Sequence, residues 1–458
     1  MSRTNAGSTA LLVGLCVGVL SIAFEVYAVT TAMPFVVGEL GYRQWYAWAF
    51  SLYMLGMVFS TVAGGRSNDR IGPLLPVAIG TAVFAIGLTM AGLATVMGVF
   101  LVGRLVQGLG AGLMNVSVYV VIAQVWDGPG RARVMTWVSA MWVLPAFVGP
   151  PVAGWVSRVF SWHWAFLGLL PLLLMTVILG APPLRRLTRD GVIGRPEAGA
   201  SSLPAVRPVP LWAGLVLAVG AMMIQLAGQR LDAVAIGLGV GGLVLLLIGL
   251  PPAMPRGFLT LSAGLAAIVW VRMAVPGTFF AAESFLPLML LETRGTPVEV
   301  GGLVLAMGAF GWMVGSWAQA RPGWLRRDRK ILLGVVLTAL GVGWAAAIAF
   351  NPGWWFALTA GAWTIAGVGM GLLTASSAVA VMNLSGRAEM GRNSSSLQVG
   401  ENLGAGLCLA IAGTIFASLD GRAETAPTFG WPLLVLALVG GLGVLLALRI
   451  GPVPDEAE

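Results

Sequence analysis

Five ionisable side chains stand inside long apolar runs of this chain: Glu25, Arg104, Arg272, Glu283 and Glu401. A charge within hydrocarbon is costly, so such residues face a protein interior or an aqueous path, pair with one another, and mark ion or substrate routes. A carboxyl group there favours its protonated form unless a cation stands near, which makes Glu25 a natural proton carrier. Arg104 keeps its charge and needs a partner. Close to Glu25 it would favour the ionised carboxylate and so set when the proton leaves. Glu283 and Glu401 are candidates for a second proton or substrate site. Arg272 and Glu283 sit on one helix about 16 Å apart in height, too far to pair directly. Tyr27, Thr30, Tyr53, Gln107, Gln398 and Asn402 complete the polar groups expected to line a substrate cavity. His163 is the single histidine and reads as an interfacial helix start.

Other chemistries find no footing. No Ser/His/Asp set, metal-ligand cluster, phosphate-cradling loop or ATP-binding motif is present, so neither enzymatic activity nor a cofactor or metal is expected. The two cysteines, Cys16 and Cys408, both fall in apolar runs and imply no disulfide framework. Energy should therefore come from an ion gradient, of protons or of sodium.

Only a membrane can position these groups. Of 458 residues 58% are hydrophobic and 10% charged, against roughly 25% charged in soluble globules. The apolar runs are too long for barrel strands and predict an all-α polytopic membrane protein. The 64 glycines suit helices that pack through small residues. Runs of about 20 residues give fourteen spans near 10–33, 46–65, 74–95, 97–125, 133–157, 163–182, 210–228, 233–252, 263–291, 299–318, 331–350, 355–382, 396–418 and 429–449. The first run reads as an uncleaved anchor. With the N-terminus inside, 19 of the 26 basic residues fall in cytoplasmic segments and five in outer loops. The inner set holds Arg3, Arg66, Arg70, Arg131, Arg133, Arg185, Arg186, Arg189, Arg195, Arg207, Arg256, Arg321, Arg326, Arg327, Arg329, Lys330, Arg387, Arg392 and Arg449; the outer set is Arg43, Arg158, Arg230, Arg294 and Arg422. That asymmetry fits the positive-inside rule and places both termini in the cytoplasm. Removing spans seven and eight together preserves it, so twelve spans stay open as an alternative. The net charge of +8 then reports orientation, not nucleic-acid binding.

Residues 183–209, rich in Arg, Pro, Gly and Ser, read as a flexible cytoplasmic linker. They divide a six-helix bundle at 1–182 from a two-helix hairpin at 210–256 and a second six-helix bundle at 257–458. Such two-half construction marks transporters, with the substrate site between the halves near the midplane. The polar stretch Gly65-Arg-Ser-Asn-Asp69-Arg70-Ile-Gly72 reads as a surface turn between spans two and three. Gly65 and Gly72 allow a sharp turn there, and Asp69 and Arg70 would latch the two halves on the cytoplasmic side.

That stretch resembles the loop between helices two and three of the major facilitator superfamily. Glu25 to Pro34, an acid nine residues before a proline, resembles the first-helix motif of the drug:proton antiporters, with Glu25 where Asp is frequent and Thr30 where Asn is frequent. Trp48 and Tyr53 follow at the family's spacing. Arg104-Leu-Val-Gln107-Gly108-Leu-Gly110 is similar to the fourth-helix motif. Gly149-Pro150-Pro151-Val-Ala153-Gly154 is similar, in part, to the fifth-helix motif of exporters; Pro145 and Ala153 replace two of its glycines. Trp162 to Phe166 with Pro171 resembles the start of helix six, although His163 and Leu169 depart from the usual Arg and Asn. Phe285-Leu-Pro287 and Gly295-Thr-Pro297 with Gly301 resemble a late segment of the fourteen-helix branch.

The resemblance implies a major facilitator fold: two six-helix bundles related by a pseudo-two-fold axis, with two further helices between them. It implies a proton-coupled exporter of amphipathic or cationic small molecules working by alternating access. Such a protein would reside in a bacterial inner membrane as a monomer, with protons, a small-molecule substrate and the bilayer as partners. Glu25 and Arg104 would couple the proton, while Gly65, Asp69, Arg70, Gly72, Gly149, Pro150 and Gly154 would serve conformational change. Alternatives are an uptake symporter for a nutrient and an exporter of lipid-like molecules. Peptide symporters carry a Glu-x-x-Glu-Arg cluster in the first helix, and nothing of that kind surrounds Glu25. A receptor or scaffold leaves the buried charges without a use.

Overall fold

A computed structural model describes residues 9–126, 128–194, 209–229, 232–321, 324–385, 389–421 and 425–453. The linker from 195 to 208, both chain ends, and Arg3, Arg195, Arg207, Arg230, Arg387 and Arg422 lie outside the described residues. Fourteen described helices are long and apolar enough to cross a membrane, and no strand occurs among the described residues. In hydrocarbon a helix meets its own backbone hydrogen bonds, which selects this architecture over open sheets.

The first half comprises α1 (Thr9–Leu40), α2 (Trp48–Ile71), α3 (Leu74–Gly92), α4 (Met97–Val125), α5 (Gly128–Val159), and α6 (His163–Leu167) with α7 (Leu170–Arg189), which together make the sixth span. The hairpin is α8 (Leu211–Gly228) and α9 (Ala233–Ala253). The second half comprises α10 (Leu265–Arg294), α11 (Val298–Ala320), α12 (Arg327–Phe350), α13 (Ala357–Leu384), α14 (Met390–Leu419) and α15 (Thr425–Leu448). The halves repeat one packing scheme. In the first, α1 packs on α5 and α7, and α4 packs on α2 and α3. In the second, α10 packs on α14 and α15, and α13 packs on α11 and α12. The halves meet reciprocally, α5 against α11 and α14 against α2. Two bundles of six helices with this exchange form the two-fold arrangement anticipated above.

The hairpin closes on itself through glycine, since a Cβ on Gly242 would lie 2.6 Å from the Gly220 carbonyl oxygen. Its helix α8 then lies over the joint between the halves. A Cβ on Gly214 would stand 3.1 Å from Val62 of α2, and one on Gly228 would stand 2.0 Å from Thr414 of α14.

Several boundaries differ from the sequence reading. Helix α2 continues unbroken to Ile71, so Gly65 is helical and does not turn. Only Gly72 leaves the helix, at φ 75°, a left-handed conformation that glycine adopts without a Cβ clash. Asn68 explains the extension: its amide nitrogen donates to the Gly64 carbonyl at 2.7 Å and to Ser117 Oγ of α4 at 2.9 Å. Those bonds tie the last two turns to the bundle. Helix α7 runs on to Arg189, so residues 183–189 are helical and not part of a flexible linker. Arg186 and Arg189 occupy its last turn, where cations complement the helix dipole. Helix α1 also continues past Pro34 to Leu40.

Close approach of α2 and α4 sets the height of the charged residues described next. A Cβ on Gly108 would lie 2.1 Å from the Tyr53 carbonyl oxygen. Overpacking a tight seam costs typically 1–3 kcal/mol. Gly108→Ala is therefore expected to lower detergent-solubilised stability by about that amount and to weaken substrate binding in parallel, measured by thermal unfolding and by equilibrium binding.

Candidate functional site

Glu25 lies midway along α1 and is fully buried, and Arg104 of α4 is 2% exposed. Arg104 Nη1 donates to Glu25 Oε1 in a buried ion pair. The same nitrogen donates to Gln107 Oε1 at 2.6 Å, one turn along α4. Nε donates to the Ala49 carbonyl of α2 at 2.7 Å. The guanidinium carbon also stands 4.6 Å from the Tyr53 ring centroid, a distance at which the ring quadrupole attracts a cation. One arginine thus joins α1, α2 and α4, and the glycine at 108 permits it.

The pair is incompletely satisfied. Glu25 Oε2, Gln107 Nε2 and the Tyr53 hydroxyl are buried without hydrogen-bond partners among the described residues. An ionised carboxylate accepts on both oxygens, and a buried acceptor left idle costs about 1–3 kcal/mol. Protonation at Oε2 would convert that idle acceptor to a donor and weaken the attraction to Arg104.

A narrow cleft separates this cluster from the second half. Thr30, Phe50, Tyr53, Met54 and Arg104 line one wall, while Phe280, Glu283 and Ser284 of α10 and Leu409 of α14 line the other. Its free space is about 20 Å³, on the scale of a single water. Glu283 is 6% exposed and makes no ion pair among the described residues. Aromatic rings crowd its helix: Phe279 stacks on Trp363 at 4.5 Å, and Phe280 lies 6.1 Å from Trp312. A carboxylate amid aromatic faces is chemistry suited to an organic cation. Tyr27 lies outside this lining and packs against α5, its Cβ 3.5 Å from where a Cβ on Gly149 would stand.

The remaining candidates form a separate cluster inside the second half. Arg272 of α10 donates through Nη2 to Glu401 Oε2 of α14. Gln398 Nε2 donates to Asn402 Oδ1 at 3.3 Å. Arg272 and Glu283 remain apart, as their spacing requires. The pairing of Arg272 with Glu401 was not legible, because it joins helices 129 residues apart in sequence.

The proposed conformational residues divide between two faces. Pro150 and Gly154 pack at the joint between halves: a Cβ on Gly302 of α11 would lie 2.9 Å from the Pro150 carbonyl carbon, and one on Gly154 would lie 3.3 Å from Glu299 Cγ. Asp69 and Arg70 are exposed, and their side chains make no hydrogen bond or ion pair with a described residue. The expected latch between halves is therefore not made here. Links are formed at the opposite face instead, two of them by Arg43 and Arg158, which the sequence reading placed only in outer loops. Arg43 pairs with Glu292 and, through Nε at 3.0 Å, with Asp420. Arg158 Nε meets Glu299 Oε1 at 2.6 Å, and the Tyr46 hydroxyl donates to the Ser284 carbonyl at 2.6 Å. His163 is stacked on Trp162 with centroids 3.8 Å apart, and its Nδ1 lies 2.6 Å from Ser161 Oγ. It stands at the first residue of α6, as an interfacial helix start.

The family model described as Major Facilitator Superfamily matches residues 15–326. The chain belongs to the Major Facilitator Superfamily. It is 26% identical over 381 residues to a probable multidrug-efflux transporter of Mycobacterium tuberculosis, covering 80% of this chain and 78% of that protein. Multidrug transporter protein MdtP of Bacillus subtilis is 29% identical over 191 residues, 42% of this chain and 35% of its own length. An uncharacterized MFS-type transporter of M. tuberculosis is 25% identical over 333 residues, 73% of this chain, and the match spans only 45% of that relative's length. Among solved structures, a POT family transporter in complex with 5-aminolevulinic acid superposes with TM-score 0.68 at 12% identity, covering 96% of both chains. That likeness establishes the fold and nothing finer. Among the described residues this superfamily member has fourteen helices long and apolar enough to cross a membrane.

Proposed function

We propose that the protein exports amphipathic or cationic small molecules in exchange for protons, by alternating access. The observation that carries this reading is the buried Glu25–Arg104 pair, in which Glu25 keeps an idle carboxylate oxygen and Arg104 lines the cleft between the halves. Protonated Glu25 would favour one facing state and bound substrate the other, each ligand contributing its differential affinity. Glu283 would receive the cationic group of the substrate across the cleft. The far-face links of Arg43 and Arg158 would hold one state, and Asp69 with Arg70 would latch the other. The names of the M. tuberculosis and B. subtilis relatives support export of drugs. The positive-inside asymmetry supports a plasma membrane location with the Gly72 face in the cytoplasm, and the protein is read as a monomer.

Proton release from purified protein in weak buffer, scored across a panel of lipophilic cations and neutral analogues, tests the exchange. Release on adding a substrate is expected; binding without release at any pH sinks proton antiport. Substrate carried in the same direction as protons would favour an uptake symporter. Glu283→Gln is expected to weaken binding of monovalent cations by about 10-fold or more, the factor for roughly 1.5–3 kcal/mol in a charge-assisted contact. Binding of neutral analogues should stay within about 2-fold, a difference of roughly 0.4 kcal/mol.

A further inference from the structure

The hairpin leaves a second cavity, remote from the cleft. Helix α8 makes the tight contacts to α2 and α14, and α9 faces α10 and α14 across a gap. Leu243, Leu246, Leu247 and Leu250 line the α9 side. They recur at the i, i+3, i+4, i+7 spacing that puts side chains in one stripe. Trp270 and Leu403 stand opposite in a space of about 430 Å³ whose lining is entirely apolar. That is the size of a ligand pocket, and the chain's own side chains leave it unfilled. Leu243 is 54% exposed and Leu247 48%, so the cavity opens to the bilayer.

Two features of the connection from α9 to α10 say what belongs there. It reaches into the cavity with Leu259 and Leu261. Leu261 has φ +52°, a left-handed conformation that costs an L side chain roughly 1–2 kcal/mol. Trp270 Nε1 donates to the Phe258 carbonyl at 2.8 Å, and the two rings stack at 4.4 Å. This connection is built to close one end of an apolar slot.

The second feature is charge. Arg256 is the only ionisable residue between Ala253 and Leu265, and it is exposed without a partner among the described residues. Beside it, Arg392 of α14 donates Nη2 to the Met254 carbonyl at 3.2 Å, while its Nε is buried without an acceptor. Two guanidinium groups, one on the connection that closes the slot and one bonded to that connection, suit an amphiphile with an anionic head. Depth fixes the kind. Leu243 lies ten residues from Ala253 on α9, so the slot reaches about 15 Å along the helix, half of a bilayer core of about 30 Å.

We propose that this cavity holds an acyl chain of an anionic phospholipid from the leaflet at the Gly72 face, with its phosphate against Arg256 and Arg392. The lipid fills the space between hairpin and second half and makes the hairpin's packing depend on membrane composition. The assignment is independent of what the central cleft transports.

Native mass spectrometry of the full-length protein, released from phosphatidylcholine nanodiscs containing a minority of phosphatidylglycerol, tests it. One strongly retained phosphatidylglycerol per chain is expected. Leu250→Trp fills the slot and should abolish that retention, with Leu247→Phe as a second filler if the first does not fold. Arg256→Gln should lower the preference for phosphatidylglycerol over phosphatidylcholine about 5-fold, the factor for about 1 kcal/mol per basic residue near an anionic headgroup. Retention in folded filled variants equal to the parent overturns the proposal, and so does equal retention of the two lipids. Displacement of the lipid by a transported drug overturns the assignment of the slot to lipid.

Discussion

Glu25→Gln is expected to abolish the proposed coupling of substrate movement to protons. Glutamine keeps the size and a hydrogen-bond acceptor for Arg104, so the helix junction survives, but the side chain no longer titrates. In proteoliposomes a proton gradient should then no longer drive substrate accumulation, while substrate exchange without a gradient persists. Substrate affinity measured on either side of neutrality carries the same information. Coupling between two ligands is typically worth 1–3 kcal/mol, about 5–150-fold in affinity. The parent should show a pH-dependent affinity change of that order, and Glu25→Gln should flatten it to about 1-fold within the same coupling arithmetic. A variant that still accumulates substrate against its gradient at the parental rate rejects Glu25 as the entry point of the energy.

Arg104→Gln carries the second large effect, and its sign depends on protonation. Removing one partner of a buried ion pair leaves an uncompensated charge and costs about 3–5 kcal/mol. Here the remaining charge belongs to Glu25, which escapes the penalty by holding a proton. The variant should therefore be strongly destabilised in alkaline buffer and much less so in acid, read as the pH dependence of thermal unfolding. It should also trap the carboxyl in its neutral state and stop turnover. The double variant Glu25→Gln with Arg104→Gln removes both charges, and its stability should lose this pH dependence. A cycle of the two single variants and the double isolates their interaction; strictly additive losses would show that the pair is not energetically coupled.

Sequence determined a good deal by itself. The fourteen spans followed from run length alone, because hydrocarbon of fixed thickness demands about 20 apolar residues per crossing. The five charges within those runs stood out because each is costly there. Residue type and position within the apolar runs single out Glu25 and Arg104. What sequence could not supply was the partner of each charge, since pairs join helices far apart in the chain. Tertiary packing put Arg104 on Glu25 by bringing α4 beside α1. It gave Arg272 to Glu401, leaving Glu283 at the cleft without an ion pair among the described residues.

Tertiary packing likewise decided the far-face links. Arg43, Glu292 and Asp420 lie in three separate connections or helix ends, and local spacing carries no trace of their meeting. It also corrected the turn. The polar run after Gly64 looks like a loop by composition, yet Asn68 finds Ser117 on α4 and the helix continues to Ile71. Composition reports which solvent a segment can tolerate; a helix end is set by whether a neighbouring helix offers its side chains a partner, and only the folded bundle contains that neighbour.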